Sequence, residues 1–70
     1  MKHVTKNKIY KGTEPYDLDT PEYDHYLCCF TGNFGIVDCF PCTKDGDIHE
    51  GYNVHGVPVH VDNLIELVEL

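Results

Sequence analysis

Val57-Pro58-Val59-His60-Val61-Asp62-Asn63-Leu64-Ile65-Glu66-Leu67-Val68-Glu69-Leu70 closes the chain and is its most informative stretch. Val57, Val59 and Val61 alternate with Pro58, His60 and Asp62, the period of a strand with one buried face. Pro58 has no N–H to donate, so this strand belongs at an edge or turns that position to solvent. Asp62-Asn63 then reads as a single 3₁₀ turn, because both side chains can bond the local backbone. Ile65 and Leu67 alternate with Leu64, Glu66 and Val68 in a final strand. A short helix capped by Asp62 is the rival reading of the same residues.

Working backwards, three turn signals punctuate the second half of the chain. Closing at His55-Gly56 pairs Val54 with Val57 and Tyr52 with Val59, which puts Tyr52, Val54, Val57, Val59 and Val61 on one face. Asp45-Gly46 predicts a two-residue hairpin turn that pairs Thr43 with Ile48 and Cys42 with His49. Gly32-Asn33-Phe34-Gly35 predicts a four-residue loop that sets Cys28 opposite Cys39. The result is a meander with strands near 25–31, 35–43, 47–54 and 57–61. Composition agrees: seven Val, four Ile, five Thr and eight aromatics favour strands, while Ala is absent.

Strand, polar turn Asp62-Asn63-Leu64, then Ile65-Glu66-Leu67 resembles the 3₁₀ turn and last strand of SH3-like small barrels. Gly35-Ile36-Val37 after a glycine turn resembles the strand opening of that architecture. The resemblance covers residues 26–70 and is one of fold type. It implies a mostly-β barrel of about five strands, and the length of the chain allows one domain over residues 1–70. Tyr16-Asp17 lies where peptide-binding SH3 domains carry an ALYDY-like stretch. The chain has no Trp, however, so the resemblance extends to the fold and not to proline-peptide recognition.

Residues 11–24 form the longest connector, interrupted by Gly12, Pro15 and Pro21. Thr20-Pro21-Glu22 can also start a helix, and Tyr23, Tyr26, Leu27 and Phe30 then fall on one helical face. A short helix over 21–31 therefore competes with the strand at 25–31.

Charge is unevenly placed. Four lysines and no acid occupy residues 1–11, a basic N-terminal arm, whereas twelve acids and only Lys44 occupy the remainder. The net charge of −7 comes with no Arg at all, which weighs against direct phosphate and nucleic-acid recognition. No apolar run approaches the ~18 residues of a membrane span, and no signal-peptide pattern is present. The expected setting is the cytoplasm. Ser is absent too, which removes serine nucleophiles.

Cys28, Cys29, Cys39 and Cys42 admit three readings. Small buried thiols of a reduced protein come first. A structural zinc site is second: Cys39-Phe40-Pro41-Cys42 has C-x-x-C spacing, and Cys28 or Cys29 with His25 or His49 could complete the ligands. The set Cys28, Cys39, Cys42 and His49 is the concrete form of that alternative. A disulfide between Cys28 and Cys39 is third. No P-loop, dinucleotide or metalloprotease motif appears, and so short a chain leaves little room for a substrate pocket. The expectation is a protein without enzymatic activity and without a cofactor.

The acids leave one constructive signal. Glu14, Asp17, Asp19, Glu22 and Asp24 interleave with Tyr16, Tyr23 and Tyr26, placing carboxylates beside rigid amphipathic rings. Rings supply contact energy and carboxylates steer a cationic partner. These eight residues are the candidate binding face for a protein with a basic surface, including one that itself binds nucleic acid. Small acidic phage-encoded inhibitors share this size and charge. The alternatives are a zinc-stabilised adaptor and a barrel subunit that dimerises through an open edge strand.

Overall fold

The computed structural model describes residues 3–52 and 56–68. Five strands form: β1 (Ile9–Gly12), β2 (His25–Thr31), β3 (Ile36–Cys42), β4 (Val57–His60) and β5 (Leu64–Val68). They make one antiparallel sheet in the order β4-β3-β2-β1-β5. The helix considered over 21–31 does not form, because Tyr26 and Cys28 bury one face of β2 in strand alternation while Leu27 and Cys29 take the other. Among the described residues, helical structure is limited to two 3₁₀ turns, Glu50–Tyr52 and Val61–Asn63. This mostly-β, open five-stranded antiparallel sheet, with its 3₁₀ turn directly before the last strand, is compatible with a small SH3-like fold.

Among the described residues no second layer covers the sheet, so it must coil to bury one face. Tyr10, Tyr26, Cys28, Val37, Cys39, Val57, Val59 and Leu64, drawn from all five strands, meet Val4 and Val61 in one core. The Val61 N–H donates to the Gly35 carbonyl at 2.8 Å, and the Thr13 N–H donates to the Asn63 carbonyl at 2.9 Å. Both bonds tie the second 3₁₀ turn to distant loops. Val57, Val59 and Val61 are buried while Pro58 and His60 are exposed, the alternation the ending predicts. Pro58 stands in edge strand β4 opposite Asp38, so its missing donor costs no ladder bond.

The hairpin geometry departs from expectation in three places. The turn at Asp45-Gly46 is a three-residue loop, with the Thr43 N–H donating to Asp47 at 3.0 Å and Gly46 at φ 91°. That turn is a type I turn closed by a left-handed glycine, and it shifts the register so that Cys42 faces Ile48 rather than His49. The strand expected over 47–54 is replaced, within its described part, by that single bridge and the Glu50–Tyr52 turn. Pro41 explains the loss: it offers His49 a carbonyl at 2.9 Å but no N–H with which to continue the ladder. β4 therefore pairs with β3 directly, Val37 facing Val59 and Cys39 facing Val57. The proposed partner Val54 lies outside the described residues.

In the third place, the turn between β2 and β3 is one residue tighter than a Gly32–Gly35 loop. The Gly32 N–H donates to the Ile36 carbonyl at 2.8 Å. The ladder is irregular between Cys28 and Phe30, and the extra residue there is Cys29. This bulge absorbs the difference, and Cys28 still faces Cys39.

Candidate acidic binding groove

The loop between β1 and β2 carries seven of the eight residues of the candidate face, and its conformation follows from local chemistry. Asp17 is a turn former: its Oδ1 accepts from the Asp19 N–H at 2.9 Å and its carbonyl accepts from the Thr20 N–H at 3.1 Å. Glu14, Asp19 and Glu22 are exposed. Tyr16 is 46% exposed and meets Tyr52 edge-on at 5.4 Å between ring centroids. Tyr23 meets the His49 ring at 4.7 Å, and His49 in turn meets Tyr52 at 4.9 Å. A chain of rings thus braces the acidic loop against the segment after β3.

Tyr26 plays a different part from the other tyrosines. Its ring is buried in the core and its hydroxyl donates to the Glu14 carbonyl at 2.8 Å. Burial, with the nearby Cys39 and the Glu14 and Asp24 carboxylates, pushes the phenol up to about 12. It therefore stays a protonated donor at neutral pH and ties the loop to the sheet.

Asp24 is committed as well. Lys11 Nζ donates to its Oδ2 at 3.2 Å, and His25 Nδ1 lies 2.8 Å from its Oδ1. Partial burial opposes its ionisation, but the Lys11 and His25 hydrogen bonds outweigh that and hold the carboxyl below its ordinary 3.8. A lowered carboxyl pKa stabilises the folded state above the unfolded value, and the contribution disappears as pH falls through the folded value. Asp24→Asn should therefore be less stable than the parent at neutral pH, with the gap closing as urea midpoints are followed into acid. A gap independent of pH would show that the pair contributes through packing and not charge. Because Lys11 and Asp24 are partly solvated, the gap should be small.

Beside Glu14 and Tyr16 lies a groove of about 270 Å³, floored by Tyr26 and closed by Pro58, His60 and Asn63. Sequence reading placed Pro58 and His60 outward on their strand but did not bring them to the acidic loop. That juxtaposition depends on the sheet's coil, for which the chain carries no local signal. His60 also caps the second 3₁₀ turn, its Nδ1 accepting from the Asp62 N–H at 3.2 Å. The sequence assigns that work to the Asp62 and Asn63 side chains, and His60 performs it instead.

The alternative zinc ligands are not brought together. C-x-x-C within an extended strand puts its two cysteines on opposite faces. Cys39 therefore enters the core opposite Cys28, and Cys42 faces the other side opposite His25. His49 sits in the ring chain. Among the described residues, no group of three or more His, Cys, Asp or Glu side chains is placed to hold a metal ion. Cys42 is fully buried, and burial pushes its thiol up to about 11, the opposite of what a nucleophile needs. Among the described residues no helix is long and apolar enough to cross a membrane. Comparisons with protein-family models, with curated proteins and with solved structures each give no match.

Proposed function

We propose that this protein is a non-catalytic binding module that captures a basic segment of a protein partner in the groove beside its acidic loop. The observation that carries this reading is the groove itself: it is lined by tyrosine and proline rings and by Glu14, with Asp19 and Glu22 exposed on the same loop. Apolar contact gives such a site adhesion, while the carboxylates accelerate encounter and reject acidic competitors. Proteins whose own ligand is nucleic acid present suitable lysine- and arginine-rich segments, so an inhibitor that occupies such a surface fits this chemistry. A cytoplasmic setting suits four cysteines that are all free.

Self-assembly through the open edge of β5 is less well supported. Ile65 and Leu67 are exposed there, but antiparallel pairing of two copies about Glu66 would set two carboxylates against each other.

The test uses a fluorescent Lys/Arg-rich peptide and the triple variant Glu14→Lys, Asp19→Lys, Glu22→Lys, which leaves the turn-forming Asp17 and the paired Asp24 in place. Binding to the parent should weaken as ionic strength rises past ~0.15 M. The variant should lose at least about tenfold in affinity, equivalent to roughly 1.4 kcal/mol. Equal affinity of parent and variant, or indifference to salt, would remove the acidic loop from the binding site.

A further inference from the structure

Cys28 and Cys39 face each other across the centre of the core, and neither belongs to the groove. They are direct partners in the β2–β3 ladder. The Cys28 N–H donates to the Lys8 carbonyl at 2.9 Å, and the Cys28 carbonyl accepts from the Asn7 N–H at 2.7 Å. Both backbone groups of Cys28 thus point away from β3, which makes Cys28–Cys39 a non-hydrogen-bonded pair. Pairs of that kind bring Cα atoms to about 4.5 Å and their side chains closest. A disulfide spans Cα separations of about 4.4–6.8 Å. Both thiols are fully buried, and the Cys39 thiol donates to the Val37 carbonyl at 3.9 Å. The remaining cysteines are directed elsewhere. Cys29 takes the other face of β2, where its thiol donates to the Asp38 carbonyl at 2.9 Å, and Cys42 lies on the opposite face of β3 from Cys39.

We propose that Cys28 and Cys39 are a reversible dithiol–disulfide pair, oxidised by small-molecule disulfides such as glutathione disulfide. In the reaction the two S–H bonds are lost and one S–S bond forms. The two electrons and two protons released reduce one glutathione disulfide to two molecules of glutathione. Exchange passes through a mixed disulfide, so an attacking thiolate and an open path are both needed. Burial raises both thiols above their ordinary range, which makes the folded dithiol slow to react and routes closure through transient opening of the sheet. Once closed, the bond is reached by external thiols such as dithiothreitol only through the same opening, so its reduction is slow but complete. It would pin the two strands that carry the Asn33–Gly35 turn, where Phe34 is held at φ 61°.

The experiment refolds the full chain from urea in a glutathione buffer rich in the disulfide, alkylates the free thiols and maps the linkage by fragment mass spectrometry. Two of the four thiols should disappear, with the bond located between Cys28 and Cys39. The oxidised protein should melt about 10 °C higher than the reduced one, and dithiothreitol should reverse the shift. Cys29→Ser should give the same bond and Cys39→Ala none. Four alkylated thiols in the parent chain, or a bond that engages Cys29 or Cys42, would overturn the proposal. Because the linkage is mapped in the parent protein, the result does not depend on whether a core variant folds.

Discussion

Leu64→Ala should lower the urea midpoint of this protein more than any other single truncation on β5, by about 2–5 kcal/mol of stability. Leu64 opens β5 and is 1% exposed, the most buried apolar residue larger than cysteine in the core. It sits opposite Gly12, at the irregularity in the β1–β5 ladder. Glycine offers no side chain there, so the cavity left by the missing methyl groups cannot be filled from across the strand. A 70-residue domain holds roughly 4–10 kcal/mol in total, so the loss removes a large share of it. Ile65→Ala is the internal comparison, since Ile65 is 51% exposed and its truncation should change stability by less than ~0.5 kcal/mol. Equal midpoints for the two variants, read with an unchanged denaturant slope, would show that β5 does not seal the core.

The ending of the chain conveyed this arrangement because its signals are local. Period-2 valines, one proline and one polar dipeptide fix strand, edge and turn without reference to distant residues. Where a reading required register over several turns, small errors entered. The Asp45-Gly46 turn holds one residue more than a two-residue hairpin, and that alone moves Ile48 into the place expected for His49. Pro41 carried the decisive information against a strand at 47–54, since a proline within β3 removes a donor from its outer side. Its effect becomes legible only once β2 is known to occupy the other side.

The binding face was legible as composition and only partly as geometry. Eight residues chosen for charge and aromaticity divide into three roles in the folded chain. Glu14, Asp19, Glu22 and Tyr16 remain available to a partner. Asp17, Asp24 and Tyr26 hold the loop in shape through bonds to the backbone, to Lys11 and His25, and to Glu14. Tyr23 belongs to the ring chain that props the loop from behind. Charge density identifies a surface, but a carboxylate that already accepts two hydrogen bonds is poorly placed to capture a third group. The distinction rests on partners that are distant in sequence, such as Lys11 for Asp24.

Gly12→Ala should damage stability and groove together, because Gly12 stands where the acidic loop leaves the sheet. A Cβ there would collide with Tyr26 Cε2, fall 2.9 Å from Cδ2 of the same ring and 3.2 Å from the Asp24 carbonyl oxygen. Neither neighbour can yield freely. The Tyr26 ring is 3% exposed within the core, and the Asp24 carbonyl accepts the Gly12 N–H at 2.9 Å. The ring must therefore shift, which strains the core by about 1–3 kcal/mol. Moving it also breaks the hydroxyl bond to the Glu14 carbonyl, a further ~1 kcal/mol. Since that bond ties Glu14 to the groove floor, the basic peptide should bind Gly12→Ala more weakly even where the protein remains folded. Tyr26→Ala removes the ring that the new methyl group meets, so the double variant should lose less than the sum of the two single losses. Two losses that simply add would mean the Gly12 backbone matters for some reason other than the space its missing side chain leaves for Tyr26.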